Sequence, residues 1–331
     1  MPEFRKDQLT NRWVIISPER AKRPRRDIND DPGSVTDCPF CAGNESMTPP
    51  AVLTYFADEP QPGRVNWSLR VVPNKFPAVV DEDNWMPESK GIYQFGSGTG
   101  IHEVIVESPQ HVLSAQSLDE SQFRQILHAY RDRIVELRTD KRWRCVAIYK
   151  NQGPQAGATL DHVHSQLVAL PIVPKGFSEE VGNAKRHYDS AGDCIYCRMI
   201  DVESRERTRV VFESDLFIAL CPFASRFSYE TWILPKQHRS SFDFQATQDY
   251  TELARSLREI LIRIDRRLEN PSFNYMVHSN PLDEGENGYY HWHIEILPKL
   301  TQAAAFEWGF GAHMNSVAPE EAARLLREVA L

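Results

Sequence analysis

Cysteine and histidine, the side chains that bind soft and borderline metals, recur in this chain in one order used twice: a Cys-x2-Cys pair, a lone histidine, then His-x-His. The first set is Cys38, Cys41, His111 and His162-Val163-His164, and the second is Cys194, Cys197, His238 and His291-Trp292-His293. The lone histidine stands almost as far ahead of its triplet in one set as in the other. A repeated three-part spacing predicts a duplicated unit with a metal-capable site in each half. Two thiolates and two imidazoles make a closed tetrahedral zinc site, whose usual role is structural. Zinc is therefore expected on Cys38, Cys41, His111 and His162, and again on Cys194, Cys197, His238 and His291, with iron an alternative occupant of the second set.

The first triplet also offers a residue beyond the ligands. If the chain from His162 to Gln166 is extended, as the apolar Leu167-Val168-Ala169-Leu170 after it implies, then His162, His164 and Gln166 project from one face. His162 completes the metal site and His164 is left to act. A neutral imidazole attacks phosphorus near neutral pH, and a covalent intermediate divides one substitution into two easier ones. Gln166 cannot exchange a proton, but its amide can donate to a phosphoryl oxygen as charge develops there. Just upstream, the loop from Asn151 to Asp161 carries Gly153, Gly157 and Thr159, which suit close backbone approach and hydrogen bonds to phosphate oxygens. The competing reading, that His164 is packed in the core, leaves this convergence unexplained. In the second half Glu295 stands where Gln166 stands in the first, and a carboxylate there repels phosphate.

Regular elements must bring these residues together. Gly100 to Glu107 alternates as a strand and runs into Ser108-Pro109-Gln110-His111, and Tyr229 to Leu234 runs likewise into Pro235-Lys236-Gln237-His238. A helix is predicted after each. Phe123, Ile126, Leu127, Tyr130, Ile134 and Leu137 mark the apolar face of the first, with Ser117 or Asp119 as its N-cap. Leu253, Leu257, Ile260, Leu261, Ile264 and Leu268 mark the second, with Thr247 as its cap. Strands at 145–149 and 273–277 then lead to the two triplets. Pro319 is expected to open a last helix, with Ala322, Leu325, Leu326 and Val329 on one side.

Composition sets the outer bounds. The 331 residues, 41% hydrophobic and 25% charged, suit a soluble protein with a substantial core. No apolar run of about 18 residues is present to span a bilayer, and Met1-Pro2-Glu3-Phe4-Arg5-Lys6 has no secretory apolar segment behind it. A cytoplasmic location is expected, where thiols stay reduced and Cys-x2-Cys pairs read as metal ligands. Cys145 and Cys221 read as small buried residues. The net charge of −8 argues against a nucleic-acid partner but not against an anionic ligand, because five basic residues crowd between Arg20 and Arg26.

These residues resemble the galactose-1-phosphate uridylyltransferase branch of the histidine-triad superfamily over nearly the whole chain. The resemblance is carried by Arg12-Trp13-Val14-Ile15-Ile16-Ser17-Pro18 with Arg20-Ala21-Lys22-Arg23-Pro24, Cys38-Pro39-Phe40-Cys41, Asn74-Lys75-Phe76-Pro77-Ala78, Ser108-Pro109-Gln110-His111, the loop from Asn151 to Gly157, and His162-Val163-His164-Ser165-Gln166. It implies an α+β fold, a tandem duplication of a histidine-triad-like unit in which each copy has an antiparallel sheet and packed helices. Residues 1–171 would be the catalytic half, 172–193 a polar connector, and 194–331 a degenerate half that keeps its metal site. The resemblance further implies ping-pong transfer of a nucleoside monophosphate through His164, supported by Gln166. Asn74, Phe76, Asn151, Gly157 and Thr159 would help hold the nucleotide, with Arg20 and Arg23 near the phosphates. It also implies a homodimer whose partner chain closes the sugar pocket, and it makes His293 a relic of the nucleophile or a residue near the acceptor.

On this resemblance the leading function is uridylyl transfer between UDP-glucose and galactose 1-phosphate. Adenylyl transfer from ADP-glucose to inorganic phosphate is its close rival. The stretch Ala305-Phe306-Glu307-Trp308-Gly309-Phe310-Gly311 departs from the lysine, Phe and Tyr-Glu pattern of the uridylyltransferases and is nearer to relatives that act as ADP-glucose phosphorylases. A non-catalytic two-zinc protein would have no need of His164, Gln166 and the glycine loop. A histidine-triad hydrolase would carry a third histidine in place of Gln166.

Overall fold

The computed structural model describes residues 1–22, 38–57, 66–82, 85–302 and 304–331, so Arg23 and the rest of the basic run after Lys22 lie outside the described residues. In chain order the strands are β1 (Glu3–Lys6), β2 (Trp13–Ile16), β3 (Leu53–Phe56), β4 (Trp67–Pro73), β5 (Glu88–Lys90), β6 (Tyr93–Ser97), β7 (Ile101–Val106), β8 (Cys145–Gln152), β9 (His164–Leu170), β10 (Val210–Glu213), β11 (Phe217–Leu220), β12 (Thr231–Pro235), β13 (Phe273–His278) and β14 (His293–Pro298). The helices are α1 (Glu120–Arg138), α2 (Lys175–Ala191), α3 (Ile195–Glu206), α4 (Tyr250–Leu268), α5 (Ala305–Phe310) and α6 (Pro319–Arg327).

Ten strands form one sheet in the order β10-β11-β12-β14-β13-β8-β9-β7-β4-β3, with every neighbour antiparallel. Read outward from the centre, β8, β9, β7, β4 and β3 on one side correspond to β13, β14, β12, β11 and β10 on the other. The expected α+β duplication is therefore present, fused into a single sheet. The halves meet where β8 pairs with β13, Asn151 opposite Asn274 and Tyr149 opposite Met276.

Alternation along the strands divides their side chains between two faces. Ile105, Leu167, Ala169, Ile233, Ile294 and Ile296 share one core with the apolar stripes of α1 and α4, which pack side by side. His164 and Gln166 fall on the opposite face, where a second sheet of order β2-β1-β6-β5 covers Val168 and Leu170 with Phe4 and Trp13, joined by Trp85 from the segment before β5.

Several local expectations change. Asp119 caps α1, its carboxylate accepting from Gln122 N–H at 2.8 Å, while Ser117 ends a short 3-10 turn before it. Thr247 does not cap α4. It lies in a 3-10 turn one step earlier, and its hydroxyl accepts from Arg131. Residues 172–193 hold a full helix, α2, stopped by Gly192 in the left-handed conformation (φ 79°). Few of its positions are apolar, with Val181 and Ala184 the buried ones, so its pattern reads as a polar connector. The final helix ends at Arg327, before Val329. His162 lies in a bend just before β9, so the regular strand begins only at His164, but the rings of both histidines pack against Phe40 while Val163 between them enters the α1 core.

Behind His164, on the α1 face, an ion pair between Lys150 and Glu107 is almost fully enclosed, each side chain 1% exposed. Lys150 Nζ also donates to the His164 carbonyl at 3.1 Å. Alongside it the Tyr130 hydroxyl bonds Ser165 Oγ at 2.7 Å and the Tyr275 hydroxyl at 2.6 Å, tying α1, β9 and β13 together. Removing one partner of such a pair strands the other charge. Lys150→Met is expected to cost about 3–5 kcal/mol in urea denaturation, and adding Glu107→Gln is expected to restore most of it. A single variant as stable as the parent would show that the pair contributes nothing.

Candidate active site

Both Cys/His sets assemble, each with all four donor atoms within 4.8 Å of one another. In a tetrahedral site with zinc about 2.3 Å from sulfur and about 2.0 Å from nitrogen, neighbouring S and N lie about 3.5 Å apart. His162 Nδ1 is 3.6 Å from Sγ of both Cys38 and Cys41, and His111 Nδ1 is 3.2 Å from Cys41. In the second set His238 Nδ1 and His291 Nδ1 are 3.4 and 3.6 Å from Cys197 Sγ. The far nitrogens face carbonyl oxygens: His162 Nε2 meets Ser108, His291 Nε2 meets Pro235 and His238 Nε2 meets Asn287, all at 2.8 Å. A carbonyl only accepts, so each Nε2 carries the proton and each Nδ1 turns its lone pair to the sulfurs. Burial pushes the His162 imidazole down to about 4, which keeps it a neutral donor. Both sets thus fit a metal ion.

His164 opens β9 two residues after the His162 donor. Its Nδ1 lies 2.8 Å from the His162 carbonyl. That contact requires a proton on Nδ1 and leaves Nε2 as the basic nitrogen of the ring. The ring sits 5.3 Å from that of Phe40. It lines a pocket of about 340 Å³ together with Gln166, Phe40, Asn74, Phe76 and Thr159. Arg20 anchors the N-terminal segment beside this pocket, donating to the Phe76 carbonyl at 3.0 Å. The pocket walls are largely apolar, which suits the face of a nucleobase, while His164, Gln166, Asn74 and Thr159 supply the polar contacts.

The loop after β8 turns on two glycines with positive φ, Gly153 at 82° and Gly157 at 84°, and a Cβ on Gly153 would collide with Ser272. Thr159 from this loop reaches the pocket. Asn151 instead lines a separate cavity of about 670 Å³ at the β8–β13 junction, where its Oδ1 accepts from Asn274 at 2.7 Å. Gly157 lines neither. Lys75, expected only as a motif residue, and Thr48, not singled out in the sequence, line the same pocket as well.

Two family descriptions match the chain: the N-terminal domain of galactose-1-phosphate uridyl transferase over residues 1–174 and its C-terminal domain over residues 180–330. The chain belongs to the galactose-1-phosphate uridyl transferase family. It is therefore an enzyme of the hexose-1-phosphate nucleotidyltransferase type. An ADP-glucose phosphorylase from Arabidopsis thaliana is 36% identical, covering 100% of this chain and 93% of the relative. A galactose-1-phosphate uridylyltransferase from Thermotoga maritima is 30% identical, covering 99% and 98%. Among solved structures, the A. thaliana ADP-glucose phosphorylase with bound ADP-glucose superposes with a TM-score of 0.77 at 34% identity, covering 100% of both chains. A uridylyltransferase mutant superposes with 0.82 at 27% identity, covering 98% of this chain and 96% of the other.

The copy in the second half is filled. Trp232 pairs with Glu295 as Val104 pairs with Gln166. Where Val104 borders the open pocket, the Trp232 indole stacks on His293 at 4.9 Å. Helix α2 adds Glu180, whose Oε2 lies 2.9 Å from His278 Nδ1, and Arg226 pairs with Glu295. Glu180, His278 and His293 form a third group with donor atoms within 4.8 Å, a set also suited to a divalent cation. The sequence reading misses it because Glu180 falls in the presumed connector. Burial alone would raise the Glu180 carboxyl, yet the hydrogen bond from His278 and the two imidazole charges hold it down to about 2.

Elemental analysis is expected to find one metal equivalent for each Cys2His2 set, and Cys38→Ser to lose the first of these and to melt at a lower temperature. A variant with both equivalents and an unchanged melting temperature would exclude Cys38 as a ligand. The stability that Glu180 contributes should be complete above about pH 4.5, its ordinary value, and vanish as pH falls toward about 2. In urea titrations the deficit of Glu180→Gln should narrow over that window. A deficit that is constant across it would contradict the low carboxyl value.

Proposed function

We propose that this protein transfers a nucleoside monophosphate from a nucleotide sugar by a ping-pong route through a covalent nucleotidyl-His164. The observation that carries the reading is the tautomer of His164, which donates Nδ1–H to the His162 carbonyl and keeps a basic Nε2 on a ring that lines the pocket beside Gln166. Nε2 attacks the α-phosphorus. An N–P bond forms, the P–O bond to the sugar 1-phosphate breaks, and the electron pair leaves on that phosphate oxygen. The positive charge on the imidazole faces the His162 carbonyl, and the Gln166 amide donates to the phosphoryl oxygen. An acceptor phosphate oxygen then attacks the same phosphorus and releases His164. No net proton moves, which accords with a glutamine rather than an acid at position 166.

In this reading Asn74, Phe76 and Thr159 hold the nucleotide from the His164 pocket, Asn151 and Gly157 help hold it from the adjoining loop, and Arg20 and Arg23 lie near its phosphates. Zinc occupies the two Cys2His2 sites as a structural ion, and residues 1–171 and 194–331 serve as catalytic and supporting halves. The enzyme works as a cytoplasmic homodimer. The exposed aromatic side chains of α5, Trp308 and Phe310 at 79% and 81%, support a partner chain over that segment. Adenylyl transfer from ADP-glucose to inorganic phosphate is favoured by the 36% identical phosphorylase and by the departure at residues 305–311. Uridylyl transfer from UDP-glucose to galactose 1-phosphate is the second reading, supported by the 30% identical uridylyltransferase.

Incubation with ADP-glucose or UDP-glucose labelled at the α-phosphate should place acid-labile label on His164, faster with ADP-glucose. His164→Asn should keep its metal and take no label, and Gln166→Ala should slow labelling by about 10²–10³-fold. Absence of label with both nucleotides, or label that persists in His164→Asn, would sink the mechanism.

A further inference from the structure

A glutamine amide has two nearly isosteric orientations, and only the one that turns nitrogen toward the pocket can donate to a phosphoryl oxygen. We propose that His102 selects this orientation of Gln166, acting as a positioning residue whose own tautomer is dictated by the backbone of Ala78. The proposal rests on the reading of Gln166 given above.

His102 lies on β7 and is 5% exposed. Ala78 N–H donates to its Nδ1 at 2.9 Å. A backbone N–H can only donate, so Nδ1 holds the lone pair and the proton of the neutral ring is on Nε2. Its acceptor is Gln166 Oε1 at 3.0 Å. The Tyr149 hydroxyl donates to the same oxygen at 3.3 Å. With Oε1 receiving both, the nitrogen of Gln166 is turned to the pocket that the residue lines.

The neighbouring amide obeys the same logic. Asn74 Nδ2 lies 3.1 Å from His102 Nε2, and two donors cannot bond each other. Asn74 cannot turn over to accept, because its Oδ1 already takes Phe76 N–H at 2.9 Å. Its amide hydrogens are therefore directed past the ring, and Asn74 also lines the pocket. One imidazole thus presents two carboxamide nitrogens to an anionic ligand without adding a charge of its own.

The test has a spectroscopic and a kinetic arm. In protein labelled with 15N-histidine, one imidazole with a protonated Nε2 and a hydrogen-bonded, unprotonated Nδ1 should vanish from the spectrum of His102→Phe, while the rings of His162, His238 and His291, which share that tautomer, should remain. A reversed tautomer or an imidazolium at neutral pH would overturn the proposal, whatever the activity. Kinetically, His102→Phe should slow labelling of His164 by about tenfold or more, with half-saturation by the nucleotide sugar changed less than about threefold. His102→Gln, which restores a donor, should recover most of the rate. Tyr149→Phe, which removes one hydroxyl, should produce a smaller loss of the same kind. In a Gln166→Ala background His102→Phe should have little further effect. A full additional loss there would assign His102 another role and overturn the proposal. A parent enzyme that takes no label would dispose of the transferase reading, and the spectrum would still decide the tautomer.

Discussion

An imidazole has two nitrogens and, when neutral, one proton, so any use of the ring depends on which nitrogen is occupied. At this site the His162 carbonyl oxygen makes that choice for His164 by accepting its Nδ1 proton at 2.8 Å. The carbonyl is itself held in place because the side chain of the same residue is gripped at both ends, Nδ1 by the cysteine sulfurs and Nε2 by Ser108. From the other side of β9, Lys150 fixes the carbonyl of His164. The metal cluster and the proposed chemistry are therefore coupled through two residues of backbone, and an ion bound there would act by denying that backbone other conformations.

The two halves share a scaffold and differ in what fills one position on it. Val104 borders a pocket in the first half, whereas Trp232 stacks on His293 in the second. Where the first half has the neutral amide of Gln166 the second has the buried carboxylate of Glu295, which needs polar partners nearby, and Arg226, His278 and His293 surround it. Burial alone would raise Glu295, but these partners hold it well below the usual carboxylate range. The pocket of one half and the polar cluster of the other both trace to this pair of differences, Val104 against Trp232 and Gln166 against Glu295.

The metal ligands were legible because a duplicated spacing is a pattern of residue type and order, and it survives without any knowledge of the fold. The helical faces of α1 and α4 were legible for the same reason, being periodic. What escaped was set by contact. Thr247 looks like a cap but meets Arg131, since a 3-10 turn intervenes before α4. Helix α2 has too few apolar positions to announce itself, yet it delivers Glu180 to His278. His102 carries no motif at all, and its role is visible only through the backbone N–H that faces it from Ala78. Asn151 sits in the expected loop, but its pairing with Asn274 from the other half turns it toward a different cavity.

The pairing of β8 with β13 has a consequence for how such a chain can change over time. Each strand is the inner border of its own half, so a half on its own would present a long unpaired border rich in apolar side chains to its neighbours. Side chains on the second half can change while its backbone still pairs, but the half cannot be discarded without baring Cys145–Gln152 to self-association. The strand it covers is reason enough to keep it, whatever its part in the reaction.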